Sequence, residues 1–165
     1  MLTALRHFFE STVREDDDWE VRWTKWGFIW ATFGLIPFMI AVCLILVFVD
    51  LAHLALIPGG YVLGSVVSLI HVRLTKRHEF LQWSQLTMVL LLPTLLMWGM
   101  GGFRAGGMLI IWSVLPGMAM LLVYQKQIAL VFFLSFLVLL LLSAGLDSVF
   151  VEMAPDLPDW VSKAL

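Results

Sequence analysis

The chain has 165 residues, of which 61% are hydrophobic and only 13% charged. A soluble domain carries about 25% charged residues, so this chain lacks the polar side chains to cover its own surface in water. The net charge of -2 argues against nucleic acid as a partner, and the single cysteine, Cys43, excludes an intrachain disulfide and a cysteine-rich zinc site. What remains is an all-α, polytopic membrane bundle whose first partner is the lipid bilayer.

In chain order, residues 1–25 form a polar cytoplasmic leader. Leu2, Leu5, Phe8 and Phe9 fall at helical spacing, which suits an interfacial amphipathic helix. An acidic cluster follows (Glu15, Asp16, Asp17, Asp18, Glu20), expected to be solvated and to cap the next helix. Trp19, Trp23, Trp26 and Trp30 recur at spacings of three and four, the pattern of a headgroup-level aromatic belt. The first span is expected at about 26–49. It follows a charged leader and is not followed by a small-residue cleavage pattern, so it is expected to be retained rather than removed as a signal peptide.

Asp50 and His53 close that span. Being three residues apart, they are expected on one helix face at the water boundary. The second span, about 54–72, contains Gly60 and Gly64 at small-xxx-small spacing, a close-packing pattern. A basic loop follows (His71, Arg73, Lys76, Arg77, His78, with Glu79). The third span, about 86–100, is expected to be short and broken by Pro93. Then comes Gly101-Gly102-Phe103-Arg104-Ala105-Gly106-Gly107, whose four glycines supply the backbone freedom of a tight reversal. The fourth span, about 108–124, holds Trp112 and Pro116. The fifth, about 128–146, leads into an acidic tail, 147–165, that is too polar to cross and is expected outside.

Eight cations (Arg6, Arg14, Arg22, Lys25, Arg73, Lys76, Arg77, Lys126) fall on one side of this five-span topology, and two (Arg104, Lys163) on the other. The positive-inside rule then places the N-terminus in the cytoplasm and the glycine corner outside, with Asp50, His53, Phe103 and Arg104 as the candidate outer ligand or signalling surface. No residue pattern marks catalysis, a metal or a cofactor: metal-ligand spacings, nucleophile elbows and nucleotide-binding fingerprints are missing, and no carboxylate sits centrally in a span.

The acidic leader, the basic loop after the second span, and the Gly101-Gly102-Phe103 turn followed by Gly107, Trp112 and Pro116 together resemble the N-terminal multi-helix membrane domain of bacterial class III adenylate/guanylate cyclases. The resemblance covers nearly the whole chain. It implies a membrane-anchoring, signal-input (receptor-like) role in the inner membrane. It also implies homodimeric association and a cyclase catalytic domain as partner, in cis or in trans, with cyclic-nucleotide synthesis residing there and not in this chain. The pattern departs from the family at Gly106, where Ser is usual, at Arg104, where an apolar residue is common, and at Pro116, one residue early. The family also has a sixth span and then the catalytic domain. Here Pro155, Pro158 and Trp160 resemble only the lead-in to that span, as in a truncated or split product. A small self-contained transporter or membrane subunit is the alternative. It would need a polar path, for which the spans offer Thr32, Ser65, Ser68, Thr87, Thr94, Ser113 and Ser135, residue types that more often serve helix packing. A nonfunctional gene fragment is the third reading.

Overall fold

The computed structural model describes Thr12 and residues 18–106, 109–122 and 126–152. Every regular element among these is helical. Four helices are long and apolar enough to cross a membrane: α1 (Trp19–Phe48), α2 (Leu56–Thr75), α3 (Glu79–Gly99) and α6 (Lys126–Gly145). Between α3 and α6 lie α4 (Phe103–Gly106), a 3-10 helix (Leu109–Val114) and α5 (Leu115–Leu122), and α7 (Asp147–Glu152) closes the described chain. The expected amphipathic leader and the acidic residues before Asp18 lie outside the described residues, as does the tail beyond Glu152.

α3 is the shaft of the bundle. In its most apolar window 56% of the residues are buried, against 11% for α1 and 17% for α6. Three apolar clusters are strung along it. Leu92 and Leu96 meet Leu46 of α1, Leu54 of the turn before α2 and Tyr61 in α2. Leu81 meets Ile29 of α1 and Leu69 and Val72 of α2. Leu86 and Leu90 meet Met120 of α5 and Ala129 and Phe132 of α6. These pairings fix an antiparallel order. Lys25, Lys76 and Lys126 lie at one end, here the basic end. Asp50, the glycine corner and Asp147 lie at the other.

Several expectations are corrected in detail. Pro93 does not break the third helix, which runs unbroken from Glu79 to Gly99. Only one backbone N–H is lost at a proline, and the buried surroundings of α3 hold the segment helical. The stretch expected as a fourth continuous span is divided. It starts as a 3-10 helix and becomes α-helical at Leu115. Pro116 accounts for the division: lacking an N–H, it cannot bond the Trp112 carbonyl, and it is accommodated in the first turn of α5, where no such bond is required. At rises of ~2.0 and ~1.5 Å per residue, the two described segments account for roughly 24 Å of the ~30 Å hydrocarbon layer.

Asp18 stands at the N-cap of α1 without a side-chain cap, although its carbonyl accepts the Arg22 N–H at 3.0 Å. α1 begins at Trp19, so Lys25 lies inside a helix rather than in a solvated leader. It is 1% exposed, and its Nζ donates to the Lys76 carbonyl at 3.2 Å. Lys76 is itself the left-handed C-cap of α2, φ 58°, so a buried cation meets the negative end of that helix. The four tryptophans of α1 are all outward-facing, 40–68% exposed, as an aromatic belt requires. Of the two glycines in the small-xxx-small pair, Gly64 faces Met88 of α3 closely, whereas Gly60 has no neighbour at its Cβ position.

Between α2 and α3 runs a buried polar ladder. Tyr61 Oη donates to Gln85 Oε1 at 2.6 Å, Gln85 Nε2 donates to Ser65 Oγ at 3.0 Å, and Ser68 and Ser84 share a hydroxyl bond of 2.8 Å. Gln85→Leu would take the acceptor from the Tyr61 hydroxyl and the amide donor from the Ser65 hydroxyl, leaving them only each other. Interhelical bonds of this kind contribute about 0.6–1.7 kcal/mol in membrane bundles, and an orphaned buried partner adds to the loss. The expected result is a lower thermal midpoint in detergent. Tyr61→Phe in the same background should recover part of it, because it removes a buried hydroxyl that has lost its acceptor.

Candidate functional site at the glycine corner

The corner begins with a left-handed helix stop. Gly101 (φ 104°) and Gly102 (φ 80°) follow the C-cap Met100 of α3. The Gly102 N–H bonds the Met97 carbonyl at 3.0 Å, and the Gly101 N–H bonds the Trp98 carbonyl at 3.1 Å. This paired pattern is a Schellman motif, which absorbs carbonyls that the helix end would otherwise leave unbonded. Both residues are buried, so the reversal happens inside the bundle end rather than on its rim.

The chain is then caught by a residue 44 positions away. The Phe103 N–H donates to Asp147 Oδ1 at 2.8 Å, and the same carboxylate oxygen occupies the space where a Cβ on Gly102 would lie. Asp147 opens α7 directly after α6. A carboxylate on a free backbone N–H at the start of α4 is a charge-assisted bond. Two further contacts tie the same elements: Trp98 Nε1 donates to Ser143 Oγ at 2.8 Å, and the Trp98 indole stacks on Phe150 at 5.1 Å with the planes 14° apart. Gly106 is seated against the backbone of α3, where a Cβ would stand 2.8 Å from the Met97 Cα. The corner is thus fastened to α3 behind it and to α6 and α7 beside it.

The residues singled out in the sequence are placed as follows. Phe103 contributes a backbone N–H to the clamp, and its ring is partly buried. Arg104 lies in α4; the orientation of its side chain falls outside what is described. Asp50 and His53 do not share a helix face, because neither is in a helix. Asp50 sits at φ 60° just past α1, and the Leu51 N–H bonds the Leu46 carbonyl at 2.9 Å while the Asp50 N–H bonds the Val47 carbonyl at 3.3 Å. This is a second Schellman stop with Asp in the position glycine usually takes, and Leu51 and Leu46 pack together beneath it. The role the geometry gives Asp50 is therefore conformational. Asp50→Gly should be neutral or raise stability by up to about 1 kcal/mol, since glycine carries no Cβ penalty there; a denaturation midpoint in detergent checks this. His53 is exposed in the turn leading to α2, at the same end of the bundle as the corner, where Leu54 lies against Gly99.

Asp147, Trp98 and Ser143 had no signal in the linear sequence beyond their residue types. Their partners are 44 and 45 positions apart, and no short-range periodicity links them. Among the described residues, no group of three or more His, Cys, Asp or Glu converges as a metal site would need. Comparison of the chain with protein-family models, with curated proteins and with solved structures gave no match.

Proposed function

We propose that this chain is the membrane-anchoring, signal-input part of a bacterial adenylate/guanylate cyclase, acting with a cyclase catalytic domain in cis or in trans. In this reading it sits in the inner membrane as a five-pass bundle, the short stretch from Leu109 to Leu122 counting as one pass. The basic end, with Arg22, Lys25, Arg73, Lys76, Arg77 and Lys126, faces the cytoplasm. The support is the sequence resemblance together with one geometric observation: Asp147 clamps the glycine corner to the last described helices. In the resembled family a further span follows and leads to the catalytic domain. A ligand that favours the clamped or the unclamped corner would bias that span, provided it binds the two states with different affinity. Two copies would bring paired catalytic halves together.

The hydroxyls in the spans favour this reading over a conduit for polar solutes. Thr32 and Ser135 donate to carbonyls in their own helices, Thr94 bonds Ser113 at 3.1 Å, and Ser65 and Ser68 belong to the ladder between α2 and α3. Ser65, Ser68, Thr94 and Ser113 join neighbouring elements, and Thr32 and Ser135 are bonded within their own helices, so these six hydroxyls serve packing instead of lining a water-filled path.

The test is a chimera of this chain with an active cyclase domain, assayed in vesicles for cyclic-nucleotide output against soluble extracts applied outside. The expected result is a response that Arg104→Ala alters while leaving insertion intact. Identical responses from both chimeras would reject the corner as the sensing surface, and output that never depends on the membrane part would reject the input role itself.

A further inference from the structure

The half of the bundle nearer the glycine corner contains a cavity of about 480 Å³, well within the ~300–1,000 Å³ of ordinary ligand pockets. α1 contributes Phe38 and Met39, α3 contributes Val89, Leu92 and Leu96, and the 3-10 helix contributes Trp112. Apart from the Tyr61 phenol and the Trp112 indole, every lining residue is apolar, and the Tyr61 hydroxyl is already committed to Gln85. Phe38 and Trp112 are 59% and 61% exposed, so the mouth opens on the outer, apolar face of the bundle. Leu92 and Leu96 are 9% and 6% exposed and lie at the back.

Water does not suit this space, because a buried water needs two to four polar partners. A void left between helices forfeits dispersion contacts along its whole wall. The medium facing the mouth of a membrane-spanning bundle is hydrocarbon chain. The lining offers no cation to neutralise a carboxylate, so the charged head of whatever enters must remain outside, at the headgroup level near the corner. We infer that this cavity is an acyl-chain site: one fatty-acyl tail of a phospholipid in the leaflet on the corner side enters sideways between α1 and the 3-10 helix. Its head stays among the bilayer headgroups. The inference needs only that the bundle lie in a bilayer, not that it relay a signal.

Photocrosslinking decides it. The full chain is reconstituted with a phosphatidylcholine carrying a diazirine near one acyl terminus, and labelled residues are mapped by mass spectrometry. The comparison residue is Leu141 of α6, 71% exposed, which any surrounding lipid reaches. The expected result is labelling of Leu92 and Leu96 as well as Leu141. Met39→Trp, which fills the cavity from α1, should abolish the first two and leave Leu141 labelled; Val89→Phe fills it from α3 and serves as the second variant should the first fail to insert. Labelling confined to Leu141 in the wild-type chain would overturn the site, as would labelling of Leu92 and Leu96 that persists in both filled variants. A free diazirine fatty acid that labels Leu92 and Leu96 when the phospholipid does not would overturn the bilayer lipid as the source.

Discussion

Gly102→Val should be the most damaging single change in the corner, lowering stability by roughly 3–5 kcal/mol, the sum of two separate losses. The first is conformational. Gly102 holds φ 80°, and a β-branched residue there crowds its own carbonyl. The second is the clamp. The new side chain would occupy the position of Asp147 Oδ1, so the carboxylate must swing away and the Phe103 N–H loses its acceptor. Asp147→Ala separates the two terms, since it removes the charge-assisted bond, about 1.5–3 kcal/mol, without touching the backbone conformation. Equilibrium unfolding of the three proteins in one detergent gives the comparison. If Gly102→Val cost no more than Asp147→Ala, the positive φ would carry none of the effect and that half of the account would be wrong.

Gly106→Ser is expected to destabilise this chain by about 1–3 kcal/mol through overpacking. Serine is the residue that the proposed kinship with cyclase membrane domains leads one to expect at this position, so the change looks conservative. Here it is not. A Cβ at residue 106 would meet the Cα and the side chain of Met97 at 2.7–3.1 Å, and a backbone atom cannot turn aside as a side-chain tip can. Met97 is itself wholly buried, so the strain has no free surface to relax into. The same logic predicts that Met97→Ala relieves little of the cost, because the closest immovable atom is the Cα. Thermal midpoints of the single and double variants check this, and a full rescue by Met97→Ala would show that only the side chain was in the way.

Four of the five expected spans correspond to membrane-length helices, because long apolar runs between charged breaks leave few alternatives; the fourth, divided at Pro116, does not. The turn at the glycines was legible for a similar reason: Gly101 and Gly102 do adopt left-handed conformations. What periodicity does not encode is which residues meet across helices. Asp147 looked like one more acid of a polar tail, yet it is the anchor of the corner. Lys25 looked like a cation of the leader, yet it is buried against the α2 cap. Asp50 and His53 seemed paired by their spacing, but that inference presumes a helix, and α1 has already ended before Asp50. The sequence also carries a signal for the interface between α2 and α3. Tyr61, Ser65 and Ser68 fall at i, i+4 and i+7, and Gln82 and Gln85 at i and i+3, so each set forms a polar stripe on one helix face that announces a partner across the interface.

Lys25 and Asp147 engage opposite ends of the bundle through opposite charges, each holding a backbone group of a neighbouring element. If α1 slid lengthwise past α2, or α6 past the corner, piston-fashion, it would have to pull one of these pins out of its socket. Rocking about the α3 shaft stretches neither. Changes of tilt that keep both pins should show in the relative angles of α1 and α2, and of α6 and the corner, rather than in their relative depth.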